Sequence, residues 1–143
     1  MAFFAKRFDA LSTTELYELL RARAEVFLLE QGIVCQDLDR VDYDALHCFF
    51  WQDAEVAACL RAFYMNPDTV KIGRVLTRMR GQGLGIQLWE QSLLEIRTAL
   101  PCRQIVVDAQ VQAQGFYEKC GFVAEGEPFL DEGVPHIFMR LVL

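Results

Sequence analysis

The segment RMRGQGLG, Arg78 to Gly85, constrains the fold of this chain more than any other stretch. It holds three glycines and two arginines in eight positions. The β-branched run TVKIGRVLT precedes it, and the helix-forming run IQLWEQSLLEI follows it. Glycine loses more backbone freedom on folding than any other residue, so such a cluster favours a turn that holds a ligand. The segment therefore predicts a strand–turn–helix unit with accessible backbone where the helix begins.

The composition of the chain indicates one packed domain, residues 1–143. Hydrophobic residues make up 53% of its 143 residues, which is enough for a sizeable core at this length. No apolar run reaches the roughly 18–20 residues of a membrane span. Lys6 and Arg7 follow the apolar N-terminal residues, the wrong order for a secretory signal. We expect a cytoplasmic protein that does not bind membranes.

Charge and cysteine spacing argue against two further classes of protein. The net charge of −6 argues against general nucleic-acid binding, although Arg74, Arg78 and Arg80 form a local positive spot beside the glycines. The five cysteines lie far apart without a C-x-x-C pair, so neither a zinc site nor a disulfide framework is indicated. We expect reduced, mostly buried thiols and no metal.

Hydrophobic periodicity and turn residues predict the order β-α-β-β-β-α-β-α-β-β, a mixed α/β fold. A capping box at Ser12 to Glu15 begins the first helix, which runs to about Glu30, and Gly73 predicts a bulge in a strand. The second helix runs to about Ala99. The other predicted elements are residues 3–8, 45–51, 55–64, 69–77, 104–110, 112–120, 122–129 and 136–143.

A glycine turn at the start of a helix is suited to binding an anion. The first N–H groups of a helix are unpaired and carry partial positive charge, so phosphate oxygens are stabilised there. A Walker loop needs a Lys-Ser/Thr pair that is absent here. The dinucleotide pattern G-x-G-x-x-G fails because its last position would be Ile86 or Leu88. The pattern that fits is Arg80-x-x-Gly83-x-Gly85.

That pattern resembles the coenzyme A pyrophosphate loop of the Gcn5-related N-acetyltransferases, the GNAT family. The later GFYEKCGF, Gly115 to Phe122, resembles the family's second motif. The run RAEVFLLEQ with the later DLD and His47, and the segment GVPHIFMRL near the C-terminus, resemble the ElaA-like branch. Only Arg78 and Met79 separate the strand from Arg80, so the segment leading into the loop is short.

The resemblance implies a central, mixed, mostly antiparallel twisted sheet flanked by helices. It also implies an enzyme that transfers an acetyl group from acetyl-CoA directly to a primary amine in a ternary complex. Tyr117 would protonate the departing thiolate. The coenzyme would be held by Val75, Thr77, Arg80, Gln82, Gly83, Leu84 and Gly85.

The acceptor side stays open at this point. Candidates for the group that deprotonates the amine are Glu30, His47, His136 and the Asp37/Asp39 pair. The acidic run Asp37, Asp39, Asp42, Asp44 could attract a cationic amine or could be a solvated loop. The acceptor itself could be a small molecule or a peptide amine.

Three further alternatives concern the whole protein. A coenzyme A sensor or a degenerate module without transferase activity would need Arg80, Gly83 and Gly85 but not Tyr117. A nucleotide- or RNA-binding domain would use the arginines, but the pI of about 4.9 is unfavourable. A homodimer could form if the C-terminal run HIFMRLVL were an edge strand.

Overall fold

A seven-stranded sheet forms the centre of the computed structural model, which describes residues 1–143. The strands are β1 (Ala2–Arg7), β2 (Leu46–Gln52), β3 (Glu55–Asn66), β4 (Thr69–Thr77), β5 (Gln104–Gln110), β6 (Val123–Asp131) and β7 (Val134–Val142). Their order is β1-β2-β3-β4-β5-β7-β6. Only β4 and β5 pair in parallel, so the expected mixed, mostly antiparallel sheet is confirmed.

Three helices pack against the sheet: α1 (Thr13–Arg23), α2 (Leu84–Ala99) and α3 (Gln114–Lys119). The capping box is present, since Ser12 Oγ accepts from the Glu15 N–H at 3.0 Å and the Glu15 carboxylate accepts from the Ser12 N–H at 2.8 Å. Beyond α1 the chain widens into a π-helical turn, Ala24–Glu30, a feature frequent at functional sites. None of the helices is long and apolar enough to cross a membrane. The predicted order of helices and strands is confirmed.

The sheet buries an apolar core on each face. The face under α2 and α3 includes Ile72 of β4, whereas the face under α1 includes Leu76 of the same strand. Residues four apart in a regular strand share a face, so β4 must change phase between them. It does so through a bulge. Gly73 and Leu76, three positions apart in β4, lie opposite Arg61 and Cys59, which are two positions apart in β3. The bulge predicted at Gly73 lies just after it, where Arg74 takes a φ of +50°.

The bulge coincides with a gap between β4 and β5. The two strands pair only from Thr69 to Lys71 with Gln104 to Val106. Beyond these residues β5 stays paired with β7 as far as Gln110, while β4 stays paired with β3. The strands therefore splay and leave a V-shaped opening in the sheet.

The C-terminal strand is not an edge strand, and that expectation was wrong. β7 lies between β5 and β6, so both of its edges are paired and β6 forms the edge of the sheet. β6 contains Pro128, which has no N–H to donate, and the charged residues Glu125 and Glu127, all of which discourage pairing along an edge. A homodimer stays a prediction and would need another surface.

Candidate active site

The opening between β4 and β5 leads into a cleft of about 580 Å³. We call its two parts the α3 half and the loop half. The α3 half is lined by Val75, Thr77, Arg80, Gln112, Ala113 and Tyr117. The loop half is lined by residues of the 31–41 loop, the bases of β4 and β5 and the β6–β7 turn, among them Cys35, Asp39, Lys71, Asp108, Glu132 and His136.

The splayed part of β4 offers its backbone to a ligand. On one side it pairs with β3, and this ladder is extended by the Arg78 N–H, which donates to the Ala57 carbonyl at 2.8 Å. On the other side the strand from Ile72 to Thr77 has no partner strand. Such an edge can pair with an extended molecule as it would with another strand. Val75 and Thr77, which were predicted to contact the cofactor, lie on this edge.

The N-terminus of α2 is a second open backbone site. Gly83 is its N-cap with a φ of +71°, and no side chain caps it. The first intrahelical bond runs from the Gln87 N–H to the Gly83 carbonyl, so the N–H groups of Leu84 and Gly85 have no partner within the helix. A Cβ built on Gly83 meets no atom within 4 Å. The turn, which also contains the exposed Gln82, therefore leaves room for an anion.

Glycine is needed at position 85 for a different structural reason. A Cβ at this position would lie 2.9 Å from Cε1 of Phe116. Glycine thus permits α2 to approach α3 closely, and α3 carries Tyr117. The glycine pattern serves both the open turn and the packing that places Tyr117.

Each arginine of the predicted positive spot has an acidic partner. Arg74 Nε lies 2.7 Å from Asp37 Oδ1, and Arg78 pairs with Glu25. Arg80 pairs with Glu30 at 2.8 Å, and their side chains are 64% and 49% exposed. The Arg80 pair is therefore the one most accessible to exchange with a ligand.

The short segment before Arg80 is held at both of its residues. Arg78 is tied to the π-helical turn through Glu25 and to β3 through its backbone N–H. Met79 packs against the core on the α2 face. The lead-in to the glycine turn is therefore fixed in place despite its shortness.

Tyr117 lies at the boundary between core and cleft. Its ring is packed edge-on against Phe116 at 5.0 Å and Phe122 at 5.7 Å between ring centroids. The residue is 7% exposed and lines the cleft. Burial raises the pKa of the phenol well above its ordinary value. The hydroxyl therefore keeps its proton at physiological pH and is available as a donor.

A buried ionic network supports the loop half, and the sequence interpretation missed it. Asp42 accepts from Arg23 at 2.8 Å and from Arg61 at 3.0 Å. Arg61 also donates to Asp39 at 2.7 Å. Arg23, Asp42 and Arg61 are 3%, 6% and 4% exposed. The signal available in the sequence for this network was an arginine on the apolar face of α1 and another within an apolar strand.

This network corrects the interpretation of the acidic run. Asp37, Asp39 and Asp42 are counterions of Arg23, Arg61 and Arg74, so they are neither a solvated loop nor free to attract an amine. The hydrogen bond from Arg61 lowers the pKa of Asp39 to about 2. Asp39 is consequently a weak base.

Of Glu30, His47 and His136, three of the residues predicted on the acceptor side, only His136 lines the cleft. His47 is 3% exposed and its Nε2 lies 2.9 Å from the Asp42 carbonyl oxygen. Burial lowers the pKa of its imidazole, and its position indicates a structural role. Glu30 ends the π-helical turn outside the cleft lining and pairs with Arg80.

Comparison with known proteins identifies the class to which this fold and cleft belong. The family described as Acetyltransferase (GNAT) domain matches residues 34–143. The structure also resembles the crystal structure of an Acyl-CoA N-acyltransferase from Pseudomonas aeruginosa. Its TM-score is 0.90 and its identity 34%, over 99% of this chain and 100% of that one.

Two further relatives narrow the class. Protein ElaA of Escherichia coli K12 is 35% identical over 135 residues, 90% of this chain and 88% of ElaA, and its crystal structure gives a TM-score of 0.91. A UPF0039 protein of Mycobacterium tuberculosis H37Rv is 39% identical over 95% of this chain and 88% of its own length. The chain belongs to the GNAT acetyltransferase family and to its ElaA-like branch, as the sequence motifs predicted.

Proposed function

We propose that this protein transfers an acetyl group from acetyl-CoA to a primary amine, directly and within a ternary complex. The observation that carries the proposal is the splayed β4–β5 junction with the uncapped N-terminus of α2 on one side and Tyr117 beside it. These features offer unpaired strand backbone and a protonated phenol in the cleft, and an anion site at the start of the helix that follows Arg80, which lines that cleft.

The residues of the α3 half fit coenzyme A. The free edge of β4 at Val75 and Thr77 would pair with the amide groups of its pantetheine arm. The N–H groups of Leu84 and Gly85, together with Gln82 and the open turn at Gly83, would hold the pyrophosphate. Arg80 would exchange Glu30 for a phosphate oxygen.

Positioning and proton donation supply the chemistry in this proposal. Holding the amine against the thioester in one cleft removes much of the entropic barrier of a bimolecular reaction. Acetyl-CoA supplies the activated acetyl group. Tyr117 gives its proton to the sulfur as the carbon–sulfur bond breaks, and its burial keeps the phenol protonated until that step.

The competing proposals are less well supported. A sensor or degenerate module would need the anion site but not a buried tyrosine at the cleft. A nucleotide-binding function would use the same anion site and the arginines, but the Walker and dinucleotide patterns are absent and all three arginines pair with acids. A cytoplasmic location belongs to our proposal, supported by five cysteines that are all free, as is usual in reducing compartments.

The proposed function is tested by titrating the protein with acetyl-CoA, ATP and a short RNA in a calorimeter. Thiol release is then measured with a panel of amines. We expect binding of acetyl-CoA alone and amine-dependent release of coenzyme A. Binding without release for any amine would favour the sensor, and binding of ATP in preference to acetyl-CoA would overturn the proposal.

The charge at the N-cap of α2 should control coenzyme binding. Asp and Asn both tolerate the left-handed backbone of Gly83 better than other side chains, so Gly83→Asp and Gly83→Asn differ mainly in charge. We expect Gly83→Asp to lose at least tenfold more acetyl-CoA affinity than Gly83→Asn, measured by calorimetry. Equal affinities would mean that the pyrophosphate lies elsewhere.

The Arg80–Glu30 pair should compete with coenzyme A. Freeing Arg80 by Glu30→Gln is expected to raise acetyl-CoA affinity about two- to fivefold, because an exposed ion pair contributes up to about 1 kcal/mol. Glu95→Gln, an exposed change of equal charge toward the far end of α2, is the control. If Glu30→Gln and Glu95→Gln bind alike, Arg80 does not contact the coenzyme through this exchange.

A further inference from the structure

The geometry of the loop half singles out His136 among the candidates for proton acceptor, an inference that rests on the proposed function. His47 is buried beyond the cleft against a backbone carbonyl. Glu30 is paired with Arg80 and does not line the cleft. Asp37 and Asp39 are held by arginines in the ionic network. Of these groups, only His136 lines the cleft without being paired with a charged side chain.

The hydrogen bond of His136 fixes which ring nitrogen is free. Its Nδ1 lies 2.7 Å from the Val134 carbonyl oxygen. A carbonyl oxygen can only accept, so Nδ1 must donate and the neutral ring must be the Nδ1–H tautomer. Nε2 then keeps its lone pair. The ring is also stacked on Phe129 at 6.0 Å between centroids, which restricts its rotation.

The groups that face His136 are compatible with a ring that gains a proton. His136 lies opposite Gln110 of β5, which is joined by hydrogen bonds to the neutral Gln31 and Gln112. From β6 it meets Phe129. The end of β6 supplies Asp131 and the adjoining turn supplies Glu132; both line the cleft and form no ion pair within the chain. Lys71, the nearby cation at the base of β4, is neutralised by Asp108 at 2.7 Å.

We propose that Nε2 of His136 accepts a proton from the acceptor ammonium group and so generates the amine that attacks the thioester. The nitrogen lone pair forms the bond to the acetyl carbon, and the carbon–sulfur bond breaks. The acylated nitrogen loses its second proton to solvent, Tyr117 protonates the thiolate, and the resulting tyrosinate regains a proton from solvent, so these transfers cancel. The proton on His136 passes to solvent, so one proton is released for each acetyl group moved.

The tautomer can be tested without knowing the acceptor. The chain has two histidines, so ¹⁵N-detected NMR of the acetyl-CoA complex, with His136→Gln for assignment, separates them. We expect the neutral His136 ring to be the Nδ1–H tautomer, with no proton on Nε2. A neutral His136 that carries its proton on Nε2 would overturn the proposal, whatever the protein acetylates.

The kinetic test uses the most active amine among n-butylamine, 1,4-diaminobutane and Nα-acetyl-lysine amide. His136→Gln should lower kcat/KM by about 10²–10⁴-fold, the usual contribution of a general base. It should also abolish the acidic limb of the pH profile, while acetyl-CoA affinity is unchanged. In His136→Ala, added imidazole should restore part of the rate, which a merely structural role would not permit.

The outcomes separate this inference from the proposed function. An active wild-type enzyme whose pH profile survives His136→Gln would overturn the role of His136 and leave acetyl transfer intact. A wild-type protein that releases no coenzyme A with any amine would overturn the proposed function, and the NMR result would still decide whether Nε2 is free to accept a proton.

Discussion

Replacing Tyr117 with phenylalanine is expected to slow acetyl transfer by about 10²–10⁴-fold, the usual contribution of a general acid. Phenylalanine keeps the ring that packs against Phe116 and Phe122, so the fold and the cleft should persist. It removes the one group proposed to protonate the departing sulfur. Acetyl-CoA affinity should therefore stay within about twofold of the wild-type value.

Single-turnover kinetics is the appropriate measurement for Tyr117→Phe, because product release can limit steady-state rates. The control is Tyr17→Phe on α1, where the side chain is 68% exposed and lies outside the cleft. We expect that control to react at the wild-type rate. If Tyr117→Phe also does so, another group or water protonates the thiolate, and Tyr117 has no part in the chemical step.

Replacing Asp42 with asparagine is expected to lower the free energy of unfolding by about 3–5 kcal/mol, the usual result of removing one partner of a buried ion pair. Asp42 receives hydrogen bonds from Arg23 and Arg61, both nearly fully buried. Asparagine has similar size but no charge, so the arginines keep only Asp37 and Asp39 as partners. Urea unfolding measures the loss.

The control for Asp42→Asn is Asp44→Asn, two positions away. Asp44 is exposed and forms no ion pair, so its replacement should change the free energy of unfolding by less than about 0.5 kcal/mol. Equal effects of the two substitutions would mean that the network does not stabilise the fold. A large effect confined to Asp42→Asn would establish that the buried carboxylate stabilises the fold through the network.

The same network predicts how stability depends on pH. Burial alone would raise the pKa of Asp42, but its hydrogen bond with Arg23 and the charge of Arg61 lower it. The pKa of Asp39 falls to about 2. Both values lie below the ordinary value near 4, so these carboxylates stabilise the fold above about pH 4. That stabilisation is lost as the pH falls through the folded-state values, and Asp42→Asn should weaken this dependence.

Much of the fold could be predicted because its signals are local. The capping box at Ser12, the alternation of the strands and the strand–turn–helix unit at Gly83 each depend on neighbouring residues. The bulge in β4 was indicated by Gly73, although Arg74 carries the positive φ. The position of β7 inside the sheet could not be predicted from neighbouring residues, because it depends on which strands pair. The prediction of β7 as an edge strand was therefore wrong.

The sequence by itself determined the family, the element order and the glycine turn, because these follow from residue types at fixed spacings. Only the tertiary structure decided which charges remain free. It paired three aspartates of the acidic run with arginines from α1, β3 and β4. It also buried His47 and left His136 in the cleft. Ion pairing and burial depend on distances between segments remote in the chain, and no spacing rule along the sequence encodes those distances.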